Sequence, residues 1–308
     1  MKKSYDLAPS DRADESVLEI VRHLFSVLLA NVDRVVADAD VEFLHDLRVA
    51  NRRIRTALSQ IKGVLPASVM DPISLEFEWL GDVTGPCRDL DVFLLALMSD
   101  YQPLGIPCGA LVPMENFLRD RRRREYSLVC AALQSERFHR LVENWQWFLE
   151  TGDEEETRPP LATSPIVEVA SPRIFKAYRR LRKRGAKTDI DPAAARLHRL
   201  RIDGKKLRYL LEFFSDLYPG TTIERFIKEL KQLQDILGGF TDTEVQLTLI
   251  DEFKDQGNAP AEALAAVSRL AETIKERQRQ FRSGFAERFE LFTCEASRKM
   301  YRKTFKIL

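Results

Sequence analysis

The sequence predicts an all-α protein built as two homologous helical halves. Three observations predict it. Apolar residues recur at helical spacing along most of the 308 residues, and strand-type alternation is nearly absent. The stretch around His45 also recurs 153 residues later around His198.

The elements follow in order. Residues 15–37 carry Val17, Ile20, Val21, Leu24, Leu28, Val32 and Val35 on one face. Residues 41–64 form a second helix that ends near Gly63 and Pro66. Pro72 can open a third in its first turn, and the Gly85-Pro86 pair should break or kink it. A helix over 89–101 follows, and three prolines and two glycines make 103–113 a loop. Helices are expected over 114–133 and 135–149. Residues 151–172, with an acidic run at 153–156 and four prolines, read as a linker or exposed crossover. Helices resume over 172–185, 192–218, 222–257 and 260–305. The chain thus divides into an N-terminal half (1–150), the linker (151–172) and a C-terminal half (173–308).

The repeat aligns without gaps. His45/His198, Leu47/Leu200, Arg48/Arg201, Arg55/Arg208, Leu58/Leu211, Pro66/Pro219, Leu80/Leu233, Asp82/Asp235, Gly85/Gly238, Asp89/Asp242 and Val92/Val245 are identical pairs. Arg52/Lys205, Arg53/Lys206, Ile54/Leu207 and Asp91/Glu244 are conservative ones. Two related bundles tend to pack about a pseudo-twofold axis, which brings equivalent surfaces together.

Composition excludes several classes. The chain is 44% hydrophobic and 31% charged, which argues against a disordered chain. The longest apolar run, 92–98, is too short to span a bilayer, so no membrane partner is expected. Cys87, Cys108, Cys130 and Cys294 form no C-x-x-C pair and no zinc spacing. With no signal-peptide pattern after Met1, they favour a reducing cytoplasm.

The formal net charge is only +1, but its distribution is uneven. Segments 45–55, 119–124, 173–187 and 196–208 hold 23 of the 48 basic residues and three acids. They carry +20 against −19 for the rest, and a local field of that kind attracts polyanions.

On a helical wheel with His45 at the origin, Arg48, Arg52 and Arg55 fall at about 300°, 340° and 280°. Leu47, Ile54 and Leu58 lie opposite, at about 200°, 180° and 220°. The second copy sets His198, Arg201, Lys205 and Arg208 against Leu200, Leu207 and Leu211, and Tyr209 joins its basic side. A merely solvated face needs no fixed order of His, Arg and Lys, and crowded like charges cost helix stability. Two further helices share the layout, with Lys176, Arg179, Arg180, Lys183 and Lys187 on one and Arg119, Arg122, Arg123 and Tyr126 on the other. Arginine binds phosphate oxygens bidentately and lysine adds point charge, so the match is a linear chain of phosphates. Few aromatics interleave with the basic residues, which argues against stacking of nucleic-acid bases and leaves non-specific nucleic-acid binding by the same surface as the lesser alternative.

Catalytic motifs are scarce: there is no P-loop, no H-E-x-x-H and no G-x-S-x-G. His45-Asp46 looks like the dyad of HD metal phosphohydrolases. However, Arg199 stands at the repeat position of Asp46, and an arginine stripe repels a divalent metal. Asp82, Gly85, Asp89 and their repeats read as architectural, with glycine permitting a bend and aspartate capping helices or orienting arginines. Neither His23 nor His139 is marked as a ligand. No cofactor, metal or catalytic activity is expected.

The residues 45–55 and 198–209, with 85–92, 233–238 and Asp242, resemble the CHAD family, the conserved histidine α-helical domain. The resemblance implies two four-helix bundles with pseudo-twofold symmetry and a basic central groove or pore that binds inorganic polyphosphate. It also implies association with polyphosphate granules. The implied ligands are His45, Arg48, Arg52, Arg53, Arg55, His198, Arg201, Lys205, Lys206, Arg208 and Tyr209. Many members carry an N-terminal CYTH triphosphate tunnel domain; with about 12 residues before the first helix, a standalone module is expected here. Thr241 stands where members tend to have Asn, and the low net charge points to weaker affinity for bulk polyanions. Both histidines are expected to titrate below the usual value because of their cationic neighbours.

Overall fold

The computed structural model describes residues 5–99, 108–151, 159–186, 194–257 and 259–306. Its elements are α1 (Ala13–Val36), α2 (Val41–Gln60), α3 (Ala67–Val83), α4 (Gly85–Ser99), α5 (Val112–Leu133), α6 (Glu136–Thr151), α7 (Ile166–Gly185), α8 (Ala194–Phe213), α9 (Gly220–Asp255), α10 (Ala261–Thr293) and α11 (Glu295–Phe305). Among the described residues no strand forms, apart from one isolated bridge between Arg12 and Pro165. No described helix is long and apolar enough to cross a membrane. The acidic run at 153–156, Lys187, Pro192 and residues 103–107 of the expected loop lie outside the described residues, and the rest of that loop forms a 3-10 turn over Cys108–Leu111 and the first residues of α5.

The repeat is visible in the helix bounds. The starts of α1 and α7, α2 and α8, and α3 and α9 are each 153 residues apart, and α2 and α8 also end 153 apart. Pro66 and Pro219 both stand in extended backbone before α3 and α9, where a proline costs no helical bond. One contact is conserved with its partners exchanged. The Asn51 amide packs against Gly81 in the first half, and the Gln234 amide against Gly204, its repeat position pair, in the second. A Cβ at Gly81 would lie 3.2 Å from Asn51 Nδ2 and 2.7 Å from Arg55.

The halves differ at the break expected near Gly85. The first has two helices there, interrupted at Thr84, because Pro86 has no N–H for the next helical bond. Gly239 replaces it in the second half, and α9 runs unbroken for 36 residues. Gly238 therefore bends nothing. Gly239 instead admits α10, since a Cβ there would fall 2.2 Å from the Phe281 ring.

Four further boundaries depart from the sequence reading. The third helix opens at Ala67, not Pro72, and α7 opens at Ile166, not Pro172. Each proline is accommodated inside its helix at the loss of one backbone bond. The end of the expected linker is ordered against the N-terminus: Ala13 N–H donates to Ser164 O (3.0 Å) and Leu161 N–H to Gly63 O (2.9 Å). The helix ending α8 stops at Phe213, followed by a short 3-10 turn over Ser215–Leu217. The expected final helix is divided at Cys294, whose extended ψ of 163° ends α10 and whose Sγ accepts the Ser297 N–H to start α11.

Two apolar clusters form the core. The larger gathers α1–α3, α5–α9 and the ends of α10 and α11 around buried rings such as Phe77, Trp145 and Phe226. The smaller joins Leu90, Phe93 and Leu118 of α4 and α5 to Ile250, Val267 and Ile274 of α9 and α10. Both clusters thus mix residues from before and after the crossover, which fixes the α2–α8 surfaces relative to one another.

Candidate functional site: a cationic cleft between α2 and α8

The two histidine-bearing helices are held from behind by their apolar stripes: Leu47, Ile54, Leu200 and Leu207 are fully buried. The opposite faces meet at a cleft of about 480 Å³, walled by α2, α8 and part of α3. Arg52, Arg55, Arg201, Lys205, Lys206 and Tyr209 line it, with the hydroxyls of Thr56, Ser59 and Ser74 and the carboxylate of Glu78.

The cations are crowded and partly stripped of water. Burial, with Arg201, Arg52 and Arg208 adding like charge against Asp242, pushes the Lys205 ammonium down to about 6. Burial and Arg52 push Arg48 down to about 10. Arg201 is lowered as well, again chiefly by burial. Among the described residues, the Nε atoms of Arg48, Arg52, Arg53 and Arg201 are buried without a hydrogen-bond acceptor, and that of Arg208 has the Glu212 carboxylate at 3.4 Å. A buried donor without an acceptor costs about 1–3 kcal/mol.

Two carboxylates enter this cluster. Asp89 and Asp242, a repeat pair, are both raised by burial, each against the pull of Arg201 and Arg88; Arg48 also acts on Asp89 and Lys205 on Asp242. Asp242 further raises Asp89 by like charge from the other half. Asp89 keeps access to water although protein surrounds it, as a side chain lining a concave opening does.

His45 and His198 are both lowered, as expected, but the leading cause is lost hydration; like charge from Arg88 on His45, and from Arg201 and Lys205 on His198, comes second. His45 is half-buried and His198 exposed. Neither lies among the lining residues of the cleft itself. Tyr209 is buried rather than presented on the basic face, its ring covered by Arg53 at 5.5 Å and Arg208 at 5.3 Å. Arg53 ion-pairs across the halves with Glu212, which Arg208 also approaches at 3.4 Å. Arg55 pairs with Glu78 at 2.9 Å. Arg48 is tied to the α3–α4 break, donating to Gly81 O (2.8 Å) and Thr84 Oγ1 (2.7 Å).

The other two basic stripes fare differently. On α5, Arg122 is clamped by Asp91 (2.6 Å) and Asp38 (2.7 Å), Arg119 pairs with Glu115 at 2.6 Å, and Arg123 pairs with Asp120. None of the three lines the cleft. On α7, Arg180 donates to Gln60 of α2 at 3.3 Å and acts electrostatically on Lys206. It thus joins the cleft to Lys176, Arg179 and Lys183 on its own helix.

Arg88 was absent from the candidates. It donates to Val41 O at 3.2 Å and contributes charge to His45, Arg48, Asp89 and Asp242. Comparison of the halves passes over it because its repeat position is Thr241. Among the described residues, no three His, Cys, Asp or Glu side chains gather as metal ligands, and the His45 imidazole has Arg88 and Arg52 for neighbours.

An all-α module with duplicated, cation-rich histidine helices meeting at a cleft is a defined class of protein. The sequence matches the family model for the CHAD domain over residues 19–251, and the chain belongs to that family. It is 30% identical over 256 residues to the uncharacterized protein Rv2226 of Mycobacterium tuberculosis (strain H37Rv), and equally to MT2285 of strain CDC 1551. The match covers 77% of this chain but 44% of each relative, so the chain spans less than half of their length. The crystal structure of the CHAD domain from the plant Ricinus communis superposes with a TM-score of 0.70 at 25% identity, covering 98% of this chain and 95% of that one. PptA from Streptomyces chartreusis shares the fold, with a TM-score of 0.71 at 16% identity, covering 91% of this chain and 100% of that one.

Proposed function

We propose that the chain binds a linear polyanion, inorganic polyphosphate, in the α2–α8 cleft, as a binding module without catalytic activity of its own. The observation that carries the reading is the convergence of Arg52, Arg55, Arg201, Lys205 and Lys206, from the two repeated helices, on one cleft. A phosphate chain supplies acceptor oxygens and negative charge together, answering the mutual repulsion of the crowded cations. Neither a base-stacking platform nor a nucleobase pocket is built around them: Tyr209, the aromatic residue lining the cleft, has its ring buried under two guanidinium groups. In a cell that holds polyphosphate granules, such binding recruits the chain to them.

The test is a titration with long-chain polyphosphate against an equal phosphate concentration of single-stranded DNA, at several salt concentrations. Polyphosphate should bind more tightly, with log affinity falling by about 0.7 per contacted phosphate per log unit of salt. Equal or tighter binding of DNA, or a salt-independent affinity, refutes the reading.

A further inference from the structure

A second basic groove, of about 540 Å³, lies between α7 and α11, away from the histidine helices. Arg179, Arg182, Arg298, Lys299, Arg302 and Lys306 line it. Its one acid, Glu295, is engaged with Lys299 at 2.8 Å. Among the described residues no carboxylate pairs with Arg179, Arg182, Arg298 or Arg302, unlike the α5 arginines.

The Tyr178 ring forms part of the wall, stacked on Tyr301 with centroids 3.8 Å apart. Tyr178 is 2% exposed, and its hydroxyl is buried without a hydrogen-bond partner among the described residues. Arg182 and Arg298 act on that hydroxyl electrostatically.

The duplication does not account for these features. The positions in α1 equivalent to Tyr178, Arg179 and Arg182 carry Phe25, Ser26 and Leu29, which have neither the phenol nor the charge. In α6, Arg137 and Arg140 instead face α3, where Arg137 pairs with Glu76 at 2.6 Å. The basic groove is therefore particular to the C-terminal half.

It is also continuous with the cleft. Lys206 of the cleft feels Arg180 of α7. Arg180 shares a surface depression of about 670 Å³ with Arg179 and Arg182, which also line the α7–α11 groove. Cations thus run from α8, over α7, to α11, past Asp203, which acts on both Lys206 and Arg180 and is held by Arg184 at 2.5 Å.

We infer that the α7–α11 groove is a second anion-binding surface, which takes the further length of a phosphate chain already seated in the α2–α8 cleft. The inference rests on the proposed function, and it assigns to the groove a preference for long chains over short ones. A chain long enough to cross α7 gains the groove's cations; a short chain fills the cleft alone.

Short and long polyphosphate fractions, titrated over a range of salt, separate the two sites. The triple substitution Arg298→Gln, Arg302→Gln, Lys306→Gln removes three charges from exposed positions. It should lower the salt slope for long chains by about 2 and leave short-chain binding unchanged. Tyr178→Phe is the control: it removes a buried, uncharged hydroxyl and should leave the long-chain slope unchanged. Unchanged long-chain affinity and slope in the triple variant overturns the inference, as does loss of DNA binding with polyphosphate binding intact. If short chains fail to bind the wild-type protein, the central cleft is what falls, and the continuity with it.

Discussion

Replacing Lys205 by methionine isolates the group whose charge the cleft suppresses most. In the anion-free protein Lys205 titrates at about 6, held there by burial, by Arg201 and Arg208 on its own helix and by Arg52 of α2, against the opposite pull of Asp242 of α9. At pH 7.5 only about 3% of it then carries a proton. A bound phosphate chain reverses the local field and brings the ammonium back toward its ordinary value near 10.4. Binding at pH 7.5 should therefore take up close to one proton at this site, and affinity should fall by up to about tenfold per pH unit above 6. His45 and His198 add uptake toward pH 6, so a variant with both replaced by glutamine is the control. Calorimetry in two buffers of different ionisation enthalpy counts the protons. Equal uptake by wild type and Lys205→Met refutes the argument.

The same substitution has a signed effect on stability. Because the folded-state value is depressed, the unfolded chain binds more protons than the folded one between about pH 6 and 10.4, and stability rises with pH across that window. Lys205→Met should remove this dependence and stabilise the anion-free protein at pH 7.5 by at most about 4 kcal/mol, a gain that vanishes toward pH 10.4. Buried lysine here is a cost to folding that ligand binding recovers.

Arg122→Ala should destabilise the fold by about 3–5 kcal/mol in urea without altering polyphosphate affinity, since it leaves Asp91, 2% exposed, without its cation. That loss should shrink as pH falls and Asp91, already raised by burial, takes a proton. Arg48→Ala should weaken binding and also cost about 1–3 kcal/mol of stability, because the α3–α4 break loses its bonds to Gly81 O and Thr84 Oγ1. Arg201→Ala, which loses no such bond, should weaken binding with the melting temperature unchanged or raised; a matching drop in both variants would contradict these separate roles.

Much of the helix order was legible because duplication writes each signal twice. Pro66 and Pro219 mark equivalent helix starts, and the apolar stripes of α2 and α8 are buried as their spacing implies. What remained hidden depends on contacts distant in sequence. The break at Cys294 has no proline or glycine to announce it. The α5 arginines look like a third phosphate stripe until Asp38 and Asp91, brought in from the α1–α2 turn and from α4, close on Arg122. The histidine shifts were read from like charge alone, whereas lost hydration, which needs the fold, leads. Tyr209 falls beside the basic stripe on a wheel, but packing against Phe213 draws its ring inward.

Where the two halves diverge indicates what each part of the repeat must preserve. Asn51 with Gly81, and Gly204 with Gln234, exchange amide and glycine across one contact, so the constraint there is a fixed interhelical distance rather than a fixed residue. Pro86 and Gly239 give opposite backbones, a break and a continuous helix, yet Asp89 and Asp242 just beyond them are both raised by burial and both act on Arg201 and Arg88. The backbone around the cleft has thus been free to vary while its charges were kept in register. The α7–α11 groove shows the reverse: the α1 and α7 helices keep their starts 153 residues apart, but Leu29 and Arg182 at equivalent positions serve different ends. At Phe25/Tyr178, Ser26/Arg179 and Leu29/Arg182 the helices stay aligned while the C-terminal copy alone carries the phenol and the charges that line the groove.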